Sequence, residues 1–443
     1  MVKIDLPDGA SAILSALQSH GFDAYMVGGC VRDSLLGKEP KDWDVCTSAL
    51  PSQVEEVFSE FRVLETGIEH GTVTVLMDDG QYEVTTFRTD GAYSDFRRPD
   101  SVSFVSDIKE DLARRDFTVN AMAYNQQGLL DLYGGRDDIQ NKVISCVGNA
   151  DERFGEDALR MMRALRFAAV YGFTIAPETA RSIHRNKDLL NHIAVERINV
   201  ELCKLLLGSY SLQILLDYSD VMSVIIPEFK PCIGFDQNNR YHQYTVYDHM
   251  MYAVSRCKSN DLSVRLALFL HDIGKPLCYT EDENGGHFHG HAVPSHEIAK
   301  TVLDRLRFDN KTKSEVLELV LYHDSVIEPT AKTVRRWLNK IGEERFKQLL
   351  FLREADILAH AEGTQESRLE RCHSLYPILE DILKEEQCFK LKDMQLNGKD
   401  VLALGVPEGK RVGEILQSLL DRIIAGELEN DREVLMREAV KML

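Results

Sequence analysis

The sequence lacks any paired cysteine motif. Its nine cysteines, an odd number, are scattered along the chain, and no two of them stand in a CxxC spacing. An odd number of scattered cysteines without such a pair fits neither a disulfide framework nor a zinc ribbon. Scattered cysteines are typical of proteins kept reduced, and we therefore expect a cytoplasmic protein.

Long apolar runs are also missing. No stretch approaches the roughly 20 apolar residues that a membrane-spanning helix needs. The first residues, MVKIDLPDGA, contain no basic segment followed by an apolar one, so no signal peptide is predicted. We expect a soluble protein with no membrane partner, and no feature of the sequence predicts a protein partner.

An excess of positive charge is absent, since the formal net charge is -19. Nucleic-acid-binding domains usually carry a basic surface, so this charge argues against that class unless basic residues are locally concentrated. Such concentrations stand at Arg97-Arg98, at Arg114-Arg115, and at Arg160, Arg163 and Arg166. If these bind nucleic acid, we expect weak affinity with a strong salt dependence.

The 443 residues are too many for a single hydrophobic core, and neither an internal repeat nor a low-complexity tract interrupts them. Strand and hairpin patterns are confined to the first third, and helical patterns follow almost throughout. We predict an α+β protein with a mixed α/β head on a small β-sheet, followed by all-helical neck, body and tail. The predicted domains are residues 1–147, 148–240, 241–365 and 366–443.

Residues 27–45, VGGCVRDSLLGKEPKDWDV, carry the first group of candidate site residues. A buried strand (24–27) leads into Gly28-Gly29 and a helix, an arrangement that lets backbone N–H groups and Arg32 meet a phosphate. Asp42 and Asp44 stand at i and i+2, so on a strand both carboxylates face the same side. Two such carboxylates repel unless a cation such as Mg²⁺ lies between them.

A third carboxylate, Glu83, lies on the second strand of a predicted hairpin, Thr72 to Met77 and Tyr82 to Phe87, whose strands are joined by the turn Asp78-Asp79-Gly80. An adjacent strand could bring it beside the two aspartates. Such a set suits a two-metal reaction at a phosphate, in which one ion activates a hydroxyl and the other neutralises the leaving group.

The pattern GGxVRDxLLG followed by DxD resembles the nucleotidyltransferase superfamily of DNA polymerase beta, in the class that holds bacterial CCA-adding enzymes and poly(A) polymerases. The resemblance continues through EHGTVTVL, YEVTTFRTDG, EDLARRDFTVNAMAY and ERFGEDALRMMRALRF and covers roughly the first 200 residues. It implies that Asp42 and Asp44 bind Mg²⁺ and that Gly29 and Arg32 lie at a nucleoside triphosphate. It further implies that Arg115 contacts the nucleotide, with CTP, ATP and tRNA as substrates.

Glu156 to Val170 predicts one amphipathic helix, with Ala158, Met162, Leu165 and Ala169 on a single apolar stripe. The opposite half carries Asp157, Arg160, Arg163 and Arg166. Asp157 and Arg160, at i and i+3, would offer an acceptor beside a donor fork. That pair complements the pairing edges of cytosine and adenine but not those of guanine or uracil.

By itself this pattern is equally that of an ion pair on a solvated helix face. The run EDxxRxxRxxR resembles the base-reading helix of class II CCA-adding enzymes, which favours the functional interpretation. The same class includes enzymes that add only A and poly(A) polymerases, so these stay open as alternatives. A DxxR element in the loop GAYSDFRRPDSV, at Asp95 and Arg98, favours full CCA addition.

A second group consists of His249, His271, Asp272 and Asp324. VRLALFLHDIGK places His271 and Asp272 at the end of an apolar helix, where a buried charge is costly unless a metal or a partner satisfies it. The order H…HD…D resembles the HD phosphohydrolase superfamily, in which these four residues bind a divalent metal. His287, His289, His291 and His296 lie between them, and one or two could extend the site to a second metal. The implied activity is phosphodiesterase or phosphatase, with an inactive structural domain as the other possibility.

Overall fold

The structure is a computed structural model that describes residues 3–91, 102–283, 285–384 and 390–443. It divides into two compact units, Met1–Pro227 and Glu228–Leu443. The ring of Phe229, at the start of the second unit, packs edge-on against Tyr247 and Phe269 of that unit. The finer division into four domains stays a prediction.

The first unit contains the sheet that the head pattern predicts. The strands of the first unit are β1 (Ala24–Val27), β2 (Asp44–Thr47), β3 (Arg62–Gly67), β4 (Thr72–Met77), β5 (Gly80–Thr86), β6 (Arg88–Asp90), β7 (Val102–Phe104), β8 (Met122–Asn125), β9 (Gly128–Asp131), β10 (Val143–Ile144) and β11 (Thr174–Ile175). The main sheet has the order β3-β4-β5-β2-β1-β8-β9. Strands β2 and β5 are parallel, whereas β4 and β5 form the predicted antiparallel hairpin.

Helices pack against this sheet and continue beyond it. They are α1 (Asp8–Ser19), α2 (Gly29–Leu35), α3 (Pro51–Val57), α4 (Ile108–Ala113), α5 (Gly135–Asn141), α6 (Ala150–Glu156), α7 (Leu159–Tyr171), α8 (Pro177–Asn186), α9 (Val195–Leu206), α10 (Ser211–Asp217) and α11 (Ser219–Ile225). In α1 the apolar positions Ile13, Leu14 and Leu17 recur at helical spacing and are fully buried. They share one core with Val45, Val73 and Val84 of the sheet.

The predicted single helix from Glu156 to Val170 is wrong in its first turn. Helix α6 ends at Glu156, Asp157 is extended (φ -135°, ψ 102°), and α7 begins only at Leu159. The Asp157 carboxylate accepts a hydrogen bond from the Leu159 N–H at 3.0 Å, a local alternative to the helical backbone pattern that aspartate commonly provides. The predicted apolar stripe is confirmed, because Ala158, Met162, Leu165 and Ala169 are all fully buried.

The second unit is mainly helical. Its helices are α12 (Val246–Arg256), α13 (Leu262–Leu270), α14 (Ala292–Arg305), α15 (Asn310–Tyr322), α16 (Ala331–Ile341), α17 (Glu343–Leu358), α18 (Glu366–His373), α19 (Leu375–Lys384), α20 (Gly398–Ala403), α21 (Lys410–Ile424) and α22 (Arg432–Val440). The prediction of purely helical structure after the head is incomplete. Besides the β10–β11 ladder, strands β12 (Thr280–Asp282) and β13 (Gly285–His287) form an antiparallel pair in the second unit.

Helix α13 explains how a long apolar segment is accommodated. Every residue from Ser263 to Leu270 is buried, as expected of a helix that is apolar on all sides and lies inside a protein. Within the described ranges, no helix has both the length and the apolar character that crossing a bilayer requires. The α13 helix is therefore the interior helix of its unit, and its C-terminal end carries His271 and Asp272 into that interior.

Candidate active site and candidate metal centre

The three predicted carboxylates of the head meet at the start of β2. Asp44 pairs with Glu83 across the parallel β2–β5 ladder and with Val27 across the antiparallel β1–β2 ladder. Asp42 stands two residues before Asp44, in the segment that leads into β2. Part of the Asp44 side chain reaches solvent. Its pKa is nevertheless raised, mainly by partial desolvation, then by the negative charge of Glu83 and, to a smaller extent, of Asp42. The positive charge of Arg115 lowers the pKa but does not cancel these effects. A raised pKa caused by like charges is what a bound cation would relieve.

Gly28 and Gly29 follow β1 directly and bring the chain back past this group. Gly28 has φ +75°, and a Cβ at this position would lie 3.0 Å from Nη1 of Arg115. Only glycine adopts that backbone conformation without strain. The Arg115 guanidinium therefore lies against bare backbone, close to the carboxylates that β2 presents.

Arg32, in the first turns of α2, is buried and fully positioned. Its Nη1 donates to the amide oxygen of Asn120 at 2.6 Å and its Nε donates to Asp33 at 2.9 Å. The guanidinium carbon lies 4.9 Å from the ring centroids of both Phe167 and Tyr171. These contacts fix the orientation of the guanidinium and leave part of its donor fork for a ligand.

Asn120 continues a chain of hydrogen bonds toward α7. Its amide nitrogen donates to Asp116 at 3.0 Å, and the other oxygen of Asp116 accepts from Nε of Arg163 at 2.8 Å. Burial alone would raise the pKa of Asp116, but Arg163 and Asn120 outweigh it and lower the pKa to about 2. Neither Asp116 nor Asn120 was predicted as a site residue, although both lie in the motif RRDFTVNA. Neutral Asn120 and anionic Asp116 thereby connect Arg32 to Arg163.

Arg115 is held by two further residues that the sequence analysis did not single out. Its Nη2 donates to Asp111 at 3.1 Å and to the sulfur of Cys46 at 3.4 Å. Asp111 is fully buried and also pairs with Arg114 at 2.7 Å. Burial opposes the charge of Arg115, but Cys46 and Asp111 together raise its pKa. The sequence signal that could have identified Asp111 is its position three and four residues before Arg114 and Arg115.

The predicted base-reading residues do not all lie on one exposed face. Asp157 accepts from Nη2 of Arg197 at 2.8 Å, whereas Arg160 is buried and pairs with Glu156 at 2.6 Å. The structure thus gives each a different partner instead of pairing their side chains. The side chain of Arg163 pairs with Asp116 and remains 35% exposed to solvent.

Arg166 lies on the inner side of the same helix. It pairs with the buried Glu201 of α9 at 2.6 Å, and its guanidinium carbon lies 3.9 Å from the Phe167 ring centroid. Like Arg160, whose side chain is 10% exposed, Arg166 has a side chain that is only 16% exposed and is already paired with a carboxylate. The DxxR element at Asp95 and Arg98, and the pair Arg97-Arg98, lie outside the described residues.

In the second unit, the structure brings together three of the four predicted metal ligands. Nε2 of His249 lies 3.4 Å from Oδ2 of Asp272, and Nε2 of His271 lies 3.2 Å from the same oxygen. Asp356 of α17 completes this group, with its Oδ1 at 2.9 Å from His249 and 3.5 Å from His271. Asp324 is exposed at the rim of the same cavity and is not brought into this group. The carboxylate that the structure brings beside His249 and His271, together with Asp272, is that of Asp356.

Two more histidines lie on the other side of Asp272. Nε2 of His291 is 3.1 Å and Nε2 of His323 is 3.5 Å from Oδ1 of Asp272. Among the histidines between His271 and Asp324, His291 turns inward, whereas His287 pairs with Asp282 and His296 with Glu297 at the surface. A third group, His242 with His249 and His360, is also close enough to share an ion. Burial lowers the pKa of His360 to about 3.

Three family models match parts of the chain. The poly A polymerase head domain matches residues 24–145, a probable RNA- and SrmB-binding site of polymerase A matches residues 172–233, and a putative tRNA nucleotidyltransferase domain 2 matches residues 291–439. The first match spans the carboxylates, Gly28 and Arg115. The third spans His291, His323 and Asp356.

Relatives align over nearly the whole chain. The CCA-adding enzyme of Ligilactobacillus salivarius is 35% identical over 100% of this chain and 99% of its own length. The CCA-adding enzyme of Geobacillus stearothermophilus is also 35% identical, over 96% of this chain and 94% of its own. A solved structure, the Bacillus stearothermophilus CCA-adding enzyme in complex with CTP, has a TM-score of 0.74 at 31% identity and covers 98% of this chain and 96% of that one.

Proposed function

Because this chain belongs to the family of CCA-adding enzymes, we infer that it adds C, C and A to the 3′ end of tRNA from CTP and ATP. The observation within the chain that carries this function is the placement of Asp44, beside Glu83 on one side and beside the Gly28 turn on the other. Nucleotidyl transfer needs metal-binding carboxylates next to a triphosphate cradle, and this register joins the two.

Asp42, Asp44 and Glu83 are proposed as the catalytic carboxylates. The donor set consists of oxygens, the ligands that Mg²⁺ prefers. Desolvation, followed by the negative charge of Glu83, raises the pKa of Asp44, and a cation beside these carboxylates would offset both effects. Mg²⁺ bound there would activate the tRNA 3′ hydroxyl and neutralise the leaving pyrophosphate. The hydroxyl oxygen then forms a bond to the α-phosphorus as the bond from that phosphorus to the pyrophosphate oxygen breaks.

The backbone of Gly28 and Gly29 and the guanidinium groups of Arg32 and Arg115 are proposed to bind the triphosphate. Both arginines are held by neighbours, Arg32 by Asn120 and Arg115 by Asp111. Donors that are already oriented lose little freedom when the anion arrives. This support is geometric and lies within the first unit.

Asp157, Arg160, Arg163 and Arg166 are proposed to select the base. An acceptor beside a donor fork matches cytosine and adenine, so one set of side chains can serve both CTP and ATP. In the structure Asp157 and Arg160 have other partners, Arg197 and Glu156. Reading a base would therefore require that these pairs be exchanged for contacts with the nucleotide.

One assay separates CCA addition from the alternatives of A-only and poly(A) addition. Purified protein is given tRNA lacking its terminal CCA, Mg²⁺, and labelled CTP or ATP. We expect two C and then one A, whereas long A tails would support poly(A) synthesis. Asp42→Ala should abolish incorporation, because a carboxylate of the metal-binding set is lost, while the exposed Asp137→Ala should not. Incorporation that survives Asp42→Ala would refute the assignment of the head.

A second activity is favoured by the polar group in the second unit. His249, His271 and Asp272, joined by Asp356, offer nitrogen and oxygen ligands in a buried position. Among the described residues, Nε2 of His271 and Oδ1 of Asp272 are buried and make no hydrogen bond of normal geometry. We propose a divalent metal at this HD-type site, with a phosphohydrolase activity, and Asp324 at its rim as a further candidate ligand. We also propose that the protein acts in the cytoplasm.

A further inference from the structure

One oxygen of Asp33 accepts from two different helices. Its Oδ1 lies 2.9 Å from Nε and 2.9 Å from Nη2 of Arg32, and it accepts a third hydrogen bond, also at 2.9 Å, from the hydroxyl of Tyr171. Arg32 and Asp33 are neighbours in α2, whereas Tyr171 is the last residue of α7 and stands 138 positions from Asp33. This oxygen therefore joins the arginine proposed for the triphosphate to the end of another helix.

The ring of Tyr171 also contacts the guanidinium of Arg32. The guanidinium carbon lies 4.9 Å from the ring centroids of Phe167 and Tyr171, and the two rings, one turn apart on α7, are nearly parallel, at 23° with centroids 6.0 Å apart. Guanidinium groups favour the faces of aromatic rings. Tyr171 thus acts on Arg32 twice, directly with its ring and through Asp33 with its hydroxyl.

The direction of the hydroxyl bond follows from the protonation state of Tyr171. Its pKa is raised to about 12, mainly by burial, so the hydroxyl keeps its hydrogen at neutral pH. A carboxylate can only accept, and the hydroxyl therefore donates to Asp33. This bond holds Oδ1 of Asp33 in place, and an acceptor held in place fixes the two nitrogens of Arg32 that donate to it.

The contacts of Arg32 leave it donors that point in a set direction. A guanidinium carries five N–H groups in one rigid plane. Two nitrogens donate to Asp33, and Nη1 donates to Asn120, so within the described part of the chain two N–H groups remain for a ligand. A Cβ at Gly29 would lie 3.6 Å from Nη2, which places these donors beside the backbone proposed for the triphosphate. The orientation of Arg32 therefore decides how they meet the phosphates.

We propose that Tyr171 is a positioning residue for nucleotidyl transfer, whose hydroxyl, acting through Asp33, orients Arg32 toward the triphosphate of either substrate. This inference rests on the proposed function and extends it to a residue that acts only through another side chain. It gives α7 two roles at its two ends. Arg160, in the first turn, is proposed to select the base, whereas Tyr171 orients a group that binds the part common to CTP and ATP.

An effect confined to the triphosphate has a distinctive kinetic pattern. CTP and ATP differ only in the base, so loss of the hydroxyl should weaken both substrates by the same factor. Pyrophosphate, which consists of the same kind of phosphate groups, should become a weaker product inhibitor in parallel. Base choice and the KM for tRNA should stay as they are. A distortion of α7 would instead change base choice, because this helix carries residues proposed to read the base.

Tyr171→Phe in the full chain removes the hydroxyl and keeps the ring contacts with Arg32 and Lys38. We expect the KM for CTP to rise about tenfold, because a hydrogen bond to a charged group commonly contributes at least that factor. With tRNA ending in CC, the KM for ATP should rise equally. The kcat should change less than about twofold, as expected when ground state and transition state lose the same contact. Tyr210→Phe, at a tyrosine that is 60% exposed beside Gly172, is the matched control and should leave these constants unchanged.

A double-mutant cycle tests the route through Arg32. Arg32→Lys replaces the planar fork by a single ammonium, which cannot reproduce both bonds to Asp33. If the hydroxyl acts through that fork, adding Tyr171→Phe to Arg32→Lys should weaken CTP less than about twofold further. A further loss of about tenfold would show independent action and overturn the inference. An unchanged KM for CTP in Tyr171→Phe alone would overturn it too, as would increased incorporation of UTP.

Binding of labelled CTP, measured by equilibrium dialysis without tRNA, separates this inference from the function on which it rests. CTP binding that weakens about tenfold in Tyr171→Phe, in a protein that adds no nucleotide to tRNA, would support the positioning role and overturn CCA addition. CCA addition together with CTP binding that the substitution does not change would do the reverse. The cycle with Arg32→Lys is measured by the same dialysis, so a variant too slow for the kinetic assay still gives a dissociation constant.

Discussion

At the scale of single residues, the head is organised by close approaches that leave no room for substitution. Gly28 combines a positive φ with the Arg115 guanidinium against its Cα, whereas Gly37 has a similar φ of +68° and open space around it. Comparing substitutions at these two glycines therefore distinguishes the effect of backbone strain from the effect of displacing Arg115. Asp116 is held equally closely, since one of its oxygens accepts from Asn120 and the other accepts from Arg163.

Gly28→Ala and Gly37→Ala are both expected to destabilise the protein, Gly28→Ala the more because its ψ of -128° lies outside the left-handed helical region, and the two are expected to differ in activity. Each introduces a side chain at positive φ, which costs about 1 kcal/mol. Only the Gly28 variant pushes Arg115 away, and a displacement of about 1 Å at a reacting centre can cost about 100-fold in rate. Thermal melting and CTP incorporation by both variants provide the comparison. Equal activities would mean that Arg115 does not act on the nucleotide.

Asp116 should stabilise the first unit above pH 4 and lose that contribution in acid. Its folded pKa of about 2 lies below the unfolded value of about 3.9, so the stabilisation is fully present above the unfolded pKa. It is lost as the pH falls through the folded pKa. The shift corresponds to a stabilisation on the order of 2 kcal/mol.

Urea unfolding of wild type and Asp116→Asn measures this contribution. In a Trp337→Phe background, Trp43 is the remaining tryptophan and reports on the first unit. The difference in unfolding free energy should be larger at pH 7 than at pH 3. A difference that does not change with pH would show that the carboxylate is not ionised against Arg163, and Asp137→Asn is the exposed control.

At the scale of elements, the strand ladders were predictable and the helix ends were not. Alternation and the Asp78-Asp79-Gly80 turn predicted the β4–β5 hairpin, and with it the approach of Glu83 to Asp44. The break between α6 and α7 was not predicted, because the helical periodicity continues through Asp157 and only its side-chain hydrogen bond interrupts the backbone pattern.

The proposed metal site of the second unit shows the same limit. Asp324 and His323 are neighbours at the end of α15, and successive helical residues point about 100° apart, so only one can face the centre. The sequence did not indicate which. His323 is inward and Asp324 outward. Asp356 comes from a helix far along the chain, and its one available signal was the pair Asp356 and His360, at i and i+4 in an otherwise apolar stretch.

Asp157→Ala should affect both the α6–α7 junction and base choice. The substitution removes the acceptor for the Leu159 N–H and the partner of Arg197, and loss of such a cap costs about 1 kcal/mol. Asp157→Asn keeps the acceptor and should recover most of the stability. If the carboxylate reads the base, both variants should incorporate UTP or GTP more often than wild type. Unchanged selectivity in both would assign Asp157 a structural role only.

At the scale of the whole molecule, a chain of net charge -19 acts on a polyanion. Basic side chains that keep part of their surface exposed, such as Arg163, must therefore provide the attraction against a repulsive background. Resemblance over the first 200 residues was enough to predict the family and the fold class from sequence. The contacts of Arg32 with Asn120, of Arg163 with Asp116 and of Arg166 with Glu201 could not be predicted, because they depend on packing between segments distant in sequence.

The affinity for tRNA should fall steeply with salt. Raising NaCl from 50 to 200 mM should increase the KM for tRNA about tenfold, as expected for two or three phosphate contacts. The KM for CTP should change less, because Arg32 and Arg115 are buried or nearly so and buried charges are screened little. Steady-state kinetics at several salt concentrations measure both. A KM for tRNA that does not change with salt would rule out electrostatic capture by these patches.

The two ladders that flank Asp44 also bear on which insertions and deletions this protein can survive. Gaining or losing one residue within β2 would turn Val45 toward the nucleotide and send the carboxylate into the apolar interior, since neighbouring strand residues face opposite sides. The hairpin turn at Asp78-Asp79-Gly80 does not decide which side the catalytic carboxylates face, and Asp79 there accepts hydrogen bonds from the Gly9 N–H and the Tyr82 hydroxyl. Over evolutionary time we expect the length of β2 to be invariant among active homologues, while that turn varies in length wherever the contact with α1 is kept.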